Sequence, residues 1–199
     1  VVDGPFVVLN GDRIVDPDVV SRVRDRALDG DLPAMAVTTA ANPRQYGVVT
    51  LDGDRVTDID EKPEGPVETN RINAGVYAFS PAVFDAIRET HATGELAITA
   101  TLNDLAASEP LTAVRYDGRW LDVSNLWDLL TVNAALIGES AAAGPDGAAL
   151  GDSVTVAADA ALAGNVRVGP NVTIGGSTAI GSNATVEAGA IVENAVIFP

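Results

Sequence analysis

The chain has 199 residues, a formal net charge of −16 and a sequence pI of about 4.1, and 47% of its residues are hydrophobic. This composition excludes a disordered chain and argues against non-specific binding to nucleic acid or anionic lipid, since both are polyanions. No cysteine is present, which also excludes disulfide frameworks and thiolate metal sites.

Only one lysine, Lys62, stands among the 12 basic residues, whereas Asp and Glu together number 28. An acid excess with almost no lysine resembles the proteins of salt-loving archaea, and an ordinary acidic cytosolic protein is the alternative. No apolar run approaches the ~18 residues of a membrane span, and no signal pattern opens the sequence. We therefore expect a cytoplasmic protein that contacts neither a membrane nor nucleic acid.

The beginning of the chain predicts an α/β unit. Residues 6–9 are a short apolar run bounded by turn residues, which predicts a fully buried parallel strand. Asp16 and Pro17 predict a helix start, with Asp as N-cap and Pro at the first helical position, and Gly30 predicts its end. Residues 34–39 predict a second buried strand, so strand, helix and strand form a βαβ unit.

The middle of the chain alternates strands and helices. Asp52-Gly53 lies between two apolar segments, 46–51 and 56–59, and is a strong hairpin signal. The further expected elements are a buried strand over 72–79, a short helix capped by Ser80-Pro81 with Val83, Phe84 and Ile87 facing inward, a helix over 95–107, short strands over 112–116 and 119–123, and a helix over 125–137 that carries Leu126, Leu129, Leu130 and Val132 and ends at Gly138.

The last fifty residues repeat with a period of six. One apolar residue returns every six positions from Leu150 to Phe198, and a small or β-branched residue follows four positions after each one through Val196. Neither a helix nor a single strand has this period. A hexapeptide repeat does, and it predicts a left-handed parallel β-helix in which three hexads form each coil. Residues 139–149 are small, polar and rich in Gly and Pro, and they predict a linker.

Six separated motifs share their order with one enzyme family: VLNGD, YGVV, EKP, INAGVYAF, ELAIT and WLDVSNLWDLL. In this order they resemble sugar-1-phosphate nucleotidylyltransferases, and the hexads after them resemble the subset that carries a left-handed β-helix. That subset includes bifunctional enzymes that make UDP-N-acetylglucosamine and thymidylyltransferases of glucose-1-phosphate. The resemblance implies a partial Rossmann-like mixed sheet over 1–138, a linker over 139–149, and a β-helix over 150–199 that assembles a homotrimer.

The reaction that the resemblance implies joins a sugar-1-phosphate to a nucleoside triphosphate. A phosphate oxygen attacks the α-phosphate in line, pyrophosphate leaves, and Mg²⁺ with cationic side chains stabilises the charge. The resemblance assigns Mg²⁺ to Asp12 and Asp122, because this ion prefers one or two carboxylates with waters and phosphate oxygens. The alternative for each aspartate is a turn residue that caps backbone N–H groups.

The same resemblance assigns the sugar phosphate to four segments. Lys62 of EKP contacts the phosphate, and Glu61 hydrogen-bonds the sugar hydroxyls, whereas a solvated surface Lys–Glu pair is the alternative. Gly47 offers its backbone N–H, since the missing side chain allows close approach. Asn73 and Glu95 hydrogen-bond sugar or ribose hydroxyls, and a turn Asn and a helix-start Glu are the alternatives. Trp120 and Trp127 are expected to be core or interface aromatics, and His91 a surface loop residue.

Several departures from the family pattern affect the expected activity. Residues 1–199 contain neither a GxGTRLxP loop nor a PKP segment, so we expect a fragment or a chain that has lost them, with little nucleotidyl transfer by itself. Ala100 stands where Asp is usual, and Ser124-Asn125-Leu126 where Gly-Thr-Pro is common. The hexads contain no histidine, so they do not support acetyl transfer. A bifunctional enzyme with its acetyltransferase half elsewhere, or a regulatory paralogue, remains an alternative.

Overall fold

The computed structural model describes residues 2–90, 98–140 and 147–199, which divide into two compact units, Val1–Leu121 and Asp122–Pro199. The sequence predicted the boundary at 139–149, so the observed division falls earlier in the chain. The first unit contains β1 (Phe6–Leu9), β2 (Arg13–Val15), α1 (Pro17–Asp29), β3 (Ala34–Thr39), a 3-10 turn (Pro43–Gln45), β4 (Gly47–Asp52), β5 (Arg55–Glu61), β6 (Arg71–Phe79), α2 (Val83–Glu89), α3 (Ile98–Ser108), β7 (Leu111–Arg115) and β8 (Trp120–Asp122), in which the division falls.

Six strands form one mixed sheet in the order β1-β6-β3-β7-β5-β4, with β4 also paired to β6, and β2 pairs with β8. Both β1 and β3 run antiparallel to β6, so they are parallel to each other with β6 between them. The predicted βαβ unit is present, although its strands are not neighbours. The prediction of a fully buried parallel first strand is wrong, because β1 pairs with antiparallel β6 and Leu9 is 45% exposed.

Strand β6 changes partner along one of its edges. Its residues Val76–Phe79 pair with β1, and Ile72 pairs with Val48 of β4. Between these pairings, Gly75 adopts a φ of +78° and its carbonyl accepts a hydrogen bond from the Asn10 N–H at 2.9 Å. The turn that follows β1 therefore meets β6 at the gap between two neighbouring strands.

The buried strand β3 sends apolar side chains to both faces of the sheet. Ala34 and Ala36 pack with the α1 residues Val19 and Val23, whereas Met35 belongs to the opposite core. Because successive residues of a strand point to opposite faces, two covered faces require an unbroken apolar run. The prediction of a buried strand over 34–39 is confirmed.

Helix α1 begins and ends where the sequence predicted. Pro17 opens it, and Gly30 closes it with a φ of +86° and an N–H bond to the Ala27 carbonyl. Its buried residues Val19, Val23 and Ala27 recur every four positions on one face. Asp16 occupies the N-cap position, but its side chain makes no hydrogen bond to the start of the helix.

The hairpin at Asp52-Gly53 is confirmed, since β4 and β5 are antiparallel and Gly53 adopts a φ of +59°. Helix α2 is present, but Phe84 is 40% exposed instead of facing the core. Its ring stacks on Phe6, with the ring centroids 5.5 Å apart. Because β1 is itself half-buried, the Phe84 ring covers an edge of the sheet and stays partly in solvent.

Helix α3 confirms the predicted helix from Ile98 onwards, and residues 95–97 of that prediction lie outside the described residues. The Asn103 side chain bonds both backbone groups of one β5 residue. Its Nδ2 donates to the Ile59 carbonyl at 2.8 Å, and its Oδ1 accepts from the Ile59 N–H at 2.9 Å. These bonds fix α3 against β5. No helix of the described residues is long and apolar enough to cross a membrane.

The second unit contains a helix and a series of short strands. The Asn125 N–H donates to the Asp128 carboxylate at 2.7 Å, as in a capping box, just ahead of the helix. Helix α4 does not end at Gly138 as predicted but spans Asp128–Ser140. The strands are β9 (Ala149–Leu150), β10 (Thr155–Val156), β11 (Ala160–Leu162), β12 (Arg167–Val168), β13 (Thr173–Gly175), β14 (Thr178–Ile180), β15 (Thr185–Val186), β16 (Ile191–Glu193) and β17 (Val196–Ile197).

The predicted apolar face at the start of α4 is wrong in part. Leu126 and Trp127 are 82% and 67% exposed, so Trp127 is not a core aromatic. Val132 and Ile137, further along the helix, are buried. The turn that precedes Asp128 therefore presents apolar side chains to solvent, and the buried face begins within the helix.

Strand pairing in the second unit follows an 18-residue offset. Thr155 pairs with Thr173, and Ala160 pairs with Thr178, in both cases in parallel and 18 positions apart. Three hexads therefore make one turn of a stacked coil, and each turn adds a strand to each of three parallel sheets. Among the predicted inward residues, Val168, Ile174, Ile180 and Val186 are buried, whereas Leu150, at the first turn of the coil, is 43% exposed.

The corners of the coil use a third hexad position that the sequence reasoning missed. In nearly every hexad, the residue three positions before the inward residue has a positive φ. Glycine has no Cβ, and asparagine tolerates this left-handed conformation better than most residues. Gly, Asn or Ser recurs at this position in most hexads, and this pattern could have predicted the corners from the sequence. The residues are Gly147, Ser153, Asn165, Asn171, Ser177, Asn183 and Gly189.

The last hexad is one residue shorter than predicted. Ile180 pairs with Ile197, an offset of 17, and Ile197 packs into the interior. Phe198, the predicted inward residue, is 66% exposed. The φ of +47° at Asn194 turns the chain early, so Ala195 takes the place in the repeat that the sequence pattern gave to Val196.

Glycine is required where neighbouring turns of the coil touch. A Cβ on Gly169 would lie 2.6 Å from the backbone nitrogen of Ala188, and one on Gly151 would lie 2.7 Å from that of Pro170. By contrast, a Cβ on Gly164 would meet no atom within 4 Å. The close approach therefore concerns particular glycines and not the whole repeat.

We expect Gly169→Ala to lower the free energy of unfolding by about 1–3 kcal/mol, because backbone atoms must move to admit the methyl group. Gly164→Ala is the matched control and should change stability by no more than about 0.5 kcal/mol. Thermal and denaturant unfolding of both variants measures the difference. Equal stability of the two variants would contradict this packing of the coil.

Candidate active site

Three of the predicted site residues lie together on adjacent strands. The β4–β5 register places Gly47 opposite Glu61. A Cβ on Gly47 would lie 2.9 Å from Glu61 Oε2 and 3.7 Å from the Cβ of Asn73. Gly47 is buried, so the missing side chain leaves room for the Glu61 carboxylate to lie across β4. We call Gly47, Glu61 and Asn73 the ledge.

Glu61 is oriented by a residue that the site prediction did not include. The Thr99 hydroxyl, on the first turn of α3, donates to Glu61 Oε2 at 2.9 Å. Thr99 is only 7% exposed, whereas Glu61 is exposed. A buried donor thus holds one oxygen of the carboxylate of an otherwise exposed residue. The ELAIT motif contained this threonine, but nothing in the sequence alone showed which residue it would bond.

Asn73 lies within strand β6, so the alternative of a turn asparagine is wrong. Its Nδ2 donates to the Tyr77 hydroxyl at 2.8 Å, and its Oδ1 accepts from the Gly75 N–H at 3.0 Å. Burial raises the pKa of Tyr77, and hydrogen bonds from Asn73 and Asn10 oppose that rise only in part. Tyr77 therefore stays neutral well above pH 7. Asn10 and Tyr77 are further site residues that the sequence reasoning missed.

Lys62 follows β5 directly and has an unusual backbone. Its φ is +49°, in the left-handed region, and its N–H donates to the Tyr46 carbonyl at 3.1 Å. The side chain is exposed, whereas the next residue, Pro63, is buried. The lysine therefore extends from a turn whose base is anchored, one residue beyond Glu61 of the ledge.

Asp12 lies in the turn after β1, as predicted. Its carboxylate is 3.4 Å from the Arg13 guanidinium, and 46% of the Asp12 side chain is exposed. The Arg13 guanidinium lies over the Trp120 ring, 5.1 Å from its centroid, and 5.8 Å from that of Tyr46. The two rings meet edge to face at 5.1 Å.

Trp120 belongs to the framework, in agreement with its prediction as a core aromatic. Its indole Nε1 donates to the Ala74 carbonyl at 2.9 Å, at the gap along β6. The Arg13 side chain is 13% exposed and is enclosed by the Trp120 and Tyr46 rings. A buried cation therefore stands between the turn that carries Asp12 and the segment that leads into Gly47.

Asp122, the second predicted metal ligand, is the first residue of the second unit and is half-buried. Its Oδ2 accepts a hydrogen bond from the Ser124 hydroxyl at 2.8 Å. Among the described residues, no group of three or more His, Asp or Glu side chains is placed to hold a metal ion. Each of Asp12 and Asp122 is a carboxylate, the ligand type that Mg²⁺ takes together with waters and phosphate oxygens, and the assignment of the ion to them stays a prediction.

Two predicted residues, Glu95 and His91, lie outside the described residues. Ala100, which replaces the usual Asp, is half-buried on α3 next to Thr99. The substitution thus lies beside the residue that holds Glu61, and nothing in the structure explains it.

Asp16 ties the loop before β8 to the start of α1. Its Oδ2 accepts from the Tyr116 hydroxyl at 2.8 Å and from the Arg119 N–H at 2.9 Å. These contacts explain why the side chain does not cap the helix. The Arg119 N–H and then the Tyr116 hydroxyl lower the pKa of the Asp16 carboxyl below its usual 3.8.

The sequence profile described as nucleotidyl transferase matches residues 2–139. The chain belongs to the nucleotidyl transferase family. The match covers nearly all of the first unit and ends within α4, so the coil lies outside it.

Curated relatives of the chain include the bifunctional protein GlmU of Methanocaldococcus jannaschii, 34% identical over 139 residues, which are 68% of this chain and 32% of that protein. The low-salt glycan biosynthesis nucleotidyltransferase Agl11 of Haloferax volcanii is 34% identical over 144 residues, 70% of this chain and 40% of that protein. Glucose-1-phosphate thymidylyltransferase of Streptomyces antibioticus is 33% identical over 141 residues, 68% of this chain and 39% of that protein. The chain thus spans about a third to two fifths of the length of these relatives.

Solved structures have the same fold. A glucose-1-phosphate thymidylyltransferase from Bacillus anthracis, in complex with a sucrose, superposes with a TM-score of 0.58 at 26% identity, over 67% of this chain and 55% of that one. The apo UDP-glucose pyrophosphorylase superposes with a TM-score of 0.62 at 22% identity, over 69% of this chain and 56% of that one.

We expect Lys62→Gly to be more stable than Lys62→Ala by about 0.5–1 kcal/mol in free energy of unfolding. Both variants remove the same charge, but only glycine adopts a positive φ without steric strain. That strain costs alanine about 1–2 kcal/mol. Part of this advantage is offset because a glycine loses more chain entropy on folding. Urea unfolding of the two variants measures this difference. Alanine equal to glycine would show that the backbone at Lys62 is unstrained.

The Asp16 contacts should stabilise the fold in a pH-dependent way. Because the folded-state pKa lies below 3.8, the unfolded chain binds this proton more tightly. The stabilisation is fully present above the unfolded-state pKa of 3.8. It is lost as the pH falls from there through the lower folded-state pKa. The difference in unfolding free energy between wild type and Asp16→Asn should therefore shrink below about pH 4. Asp18→Asn, at an exposed position in the first turn of the same helix, is the control.

Proposed function

We propose that the protein is a sugar-1-phosphate nucleotidylyltransferase. A phosphate oxygen of the sugar-1-phosphate forms a bond to the α-phosphorus of a nucleoside triphosphate, the bond from that phosphorus to the bridging oxygen breaks, and pyrophosphate leaves. The observation that carries the proposal is the ledge of Gly47, Glu61 and Asn73 with Lys62 directly after it. The family match over residues 2–139 supports it.

The ledge suits a sugar. The carboxylate of Glu61, held through one oxygen by Thr99, would accept hydrogen bonds from sugar hydroxyls with the other. Charge-assisted bonds of this kind are stronger than neutral ones. Gly47 leaves room for the Glu61 carboxylate to lie across β4, its backbone N–H is proposed to face the sugar, and the half-buried residue Asn73 lies on the next strand. Glu95 completes the proposed set of hydroxyl-binding residues.

Phosphate charge is the main obstacle in this reaction, since two polyanions must meet. The Lys62 ammonium, a compact point charge, would contact the phosphate of the sugar-1-phosphate. Asp12 and Asp122 would hold Mg²⁺, which neutralises phosphate charge when bound. Arg13 would stabilise the turn that carries Asp12. Its guanidinium packs on the Trp120 ring and lies 3.4 Å from the Asp12 carboxylate.

For the second unit, we propose a left-handed β-helix that assembles a trimer. The 18-residue offset and the positive-φ corners support the β-helix. Helix α4 packs on the sheet of β11, β14 and β17, whereas the outward residues of the other two sheets, such as Thr173 and Arg167, are exposed. Those two faces are the ones available to other copies. Light scattering at high salt should give three times the monomer mass.

The kinetic test measures pyrophosphate release by the full-length protein with Mg²⁺, a nucleoside triphosphate and glucose-1-phosphate or N-acetylglucosamine-1-phosphate. We expect Lys62→Ala to lower kcat/KM for the sugar phosphate by about 30–100-fold, since it removes a charged contact. Thr99→Val should raise KM about tenfold with a smaller change in kcat, because Glu61 loses its anchor.

Arg88→Ala is the matched control, because Arg88 is exposed on α2 and pairs with Asp85. It should behave as wild type. Residues 1–199 contain no glycine-rich phosphate loop, so we expect this stretch alone to release little pyrophosphate. A full-length protein that releases none with any pairing of triphosphate and sugar phosphate would contradict the proposed function.

A further inference from the structure

The turn over residues 62–64 holds an unfavourable backbone conformation. Lys62 has a φ of +49° and precedes Pro63. A residue before proline favours extended conformations, and the left-handed region is strained for any residue with a side chain. Such a conformation persists only where neighbouring structure imposes it. The contacts that impose it therefore decide where the Lys62 ammonium extends from.

Arg44 of the 3-10 turn supplies two of those contacts. Its Nε donates to the Pro63 carbonyl at 3.3 Å, and its Nη2 donates to the Glu64 carbonyl at 2.6 Å. The Lys62 N–H adds a third bond, to the Tyr46 carbonyl. A guanidinium can serve two adjacent carbonyls because its donors form a rigid planar fork, which an ammonium lacks.

The segment that holds this turn also leads into the ledge. Arg44 lies three residues before Gly47, so one short stretch of chain grips the Lys62 turn and supplies the glycine of the ledge. Glu61 and Lys62 are adjacent as well. The Arg44 bonds therefore fix the backbone from which the Lys62 side chain extends relative to the ledge. That spacing is one that a sugar and its phosphate must match.

We propose that Arg44 is a positioning residue for Lys62, which it holds in place for binding the phosphate of a sugar-1-phosphate. The proposal rests on the function proposed above. Arg44 acts through the backbone carbonyls of the turn and not by touching the substrate. Its effect on affinity therefore depends on the Lys62 side chain being present.

A double-mutant cycle tests this dependence. Calorimetry on the full-length protein measures the dissociation constant of glucose-1-phosphate or N-acetylglucosamine-1-phosphate, whichever the wild type binds more tightly. Lys62→Ala should weaken binding by about 30–100-fold and Arg44→Ala by about tenfold. The double variant should bind within about twofold of Lys62→Ala, because coupled residues are not additive.

Two further variants separate positioning from general effects. Arg44→Lys keeps the charge but loses the fork, so it should recover less than half of the lost affinity on a logarithmic scale. Arg88→Ala should bind as wild type does. Full recovery by Arg44→Lys, an additive double variant, or an Arg44→Ala variant with unchanged affinity would overturn the role of Arg44. Failure of Lys62→Ala to weaken binding would instead contradict the proposed function itself.

Discussion

The change of partner along one edge of β6 is the constraint on which the candidate site depends. Strand β1 accompanies β6 from Val76 onwards, and β4 meets it at Ile72. The backbone groups in between find other partners: the Gly75 carbonyl accepts from Asn10, and the Ala74 carbonyl accepts from Trp120. Buried backbone groups must be paired, so this gap draws polar side chains into the sheet. Asn73 and the turn with Asp12 lie there for that reason.

The 12 basic residues of this acidic chain are 11 arginines and one lysine, and the two residue types make different contacts. Arginine repeatedly joins distant segments by donating to backbone carbonyls, as Arg22 does to Arg115 at 2.7 Å and Arg55 to Ala106 at 3.2 Å. Arg44 belongs to this group. The planar fork and permanent charge of arginine suit such links. Lys62, the only lysine, instead carries its ammonium on an exposed side chain directly after β5, where a compact point charge suits a phosphate.

Local signals in the sequence predicted where helices and turns begin and end more accurately than which residues pack around them. Asp52-Gly53 required a hairpin, and Gly30 required a helix end, because each signal depends on backbone conformations that few residues adopt. The predictions that β1 is a fully buried parallel strand and that Phe84 faces the core failed. Both depend on the position of β1 in the sheet, where it pairs only with antiparallel β6 among the described strands. The predicted inward Phe198 failed because a turn at Asn194 shortened the final hexad. A period of six does not reveal where one residue is missing.

The sequence by itself determined the order of strands and helices, the repeat of the coil, and the identity of Gly47, Glu61, Lys62 and Asn73 as site candidates. Each of these follows from spacing or from a motif. Only the tertiary structure decided that Thr99 holds Glu61, that Asn73 and Asn10 both hydrogen-bond Tyr77, and that Arg44 holds the Lys62 turn. Most of these partners are far apart in the chain, as Thr99 and Glu61 are at 38 positions. A hydrogen bond between such residues leaves no periodic trace in the sequence, because it depends on how the strands and helices pack.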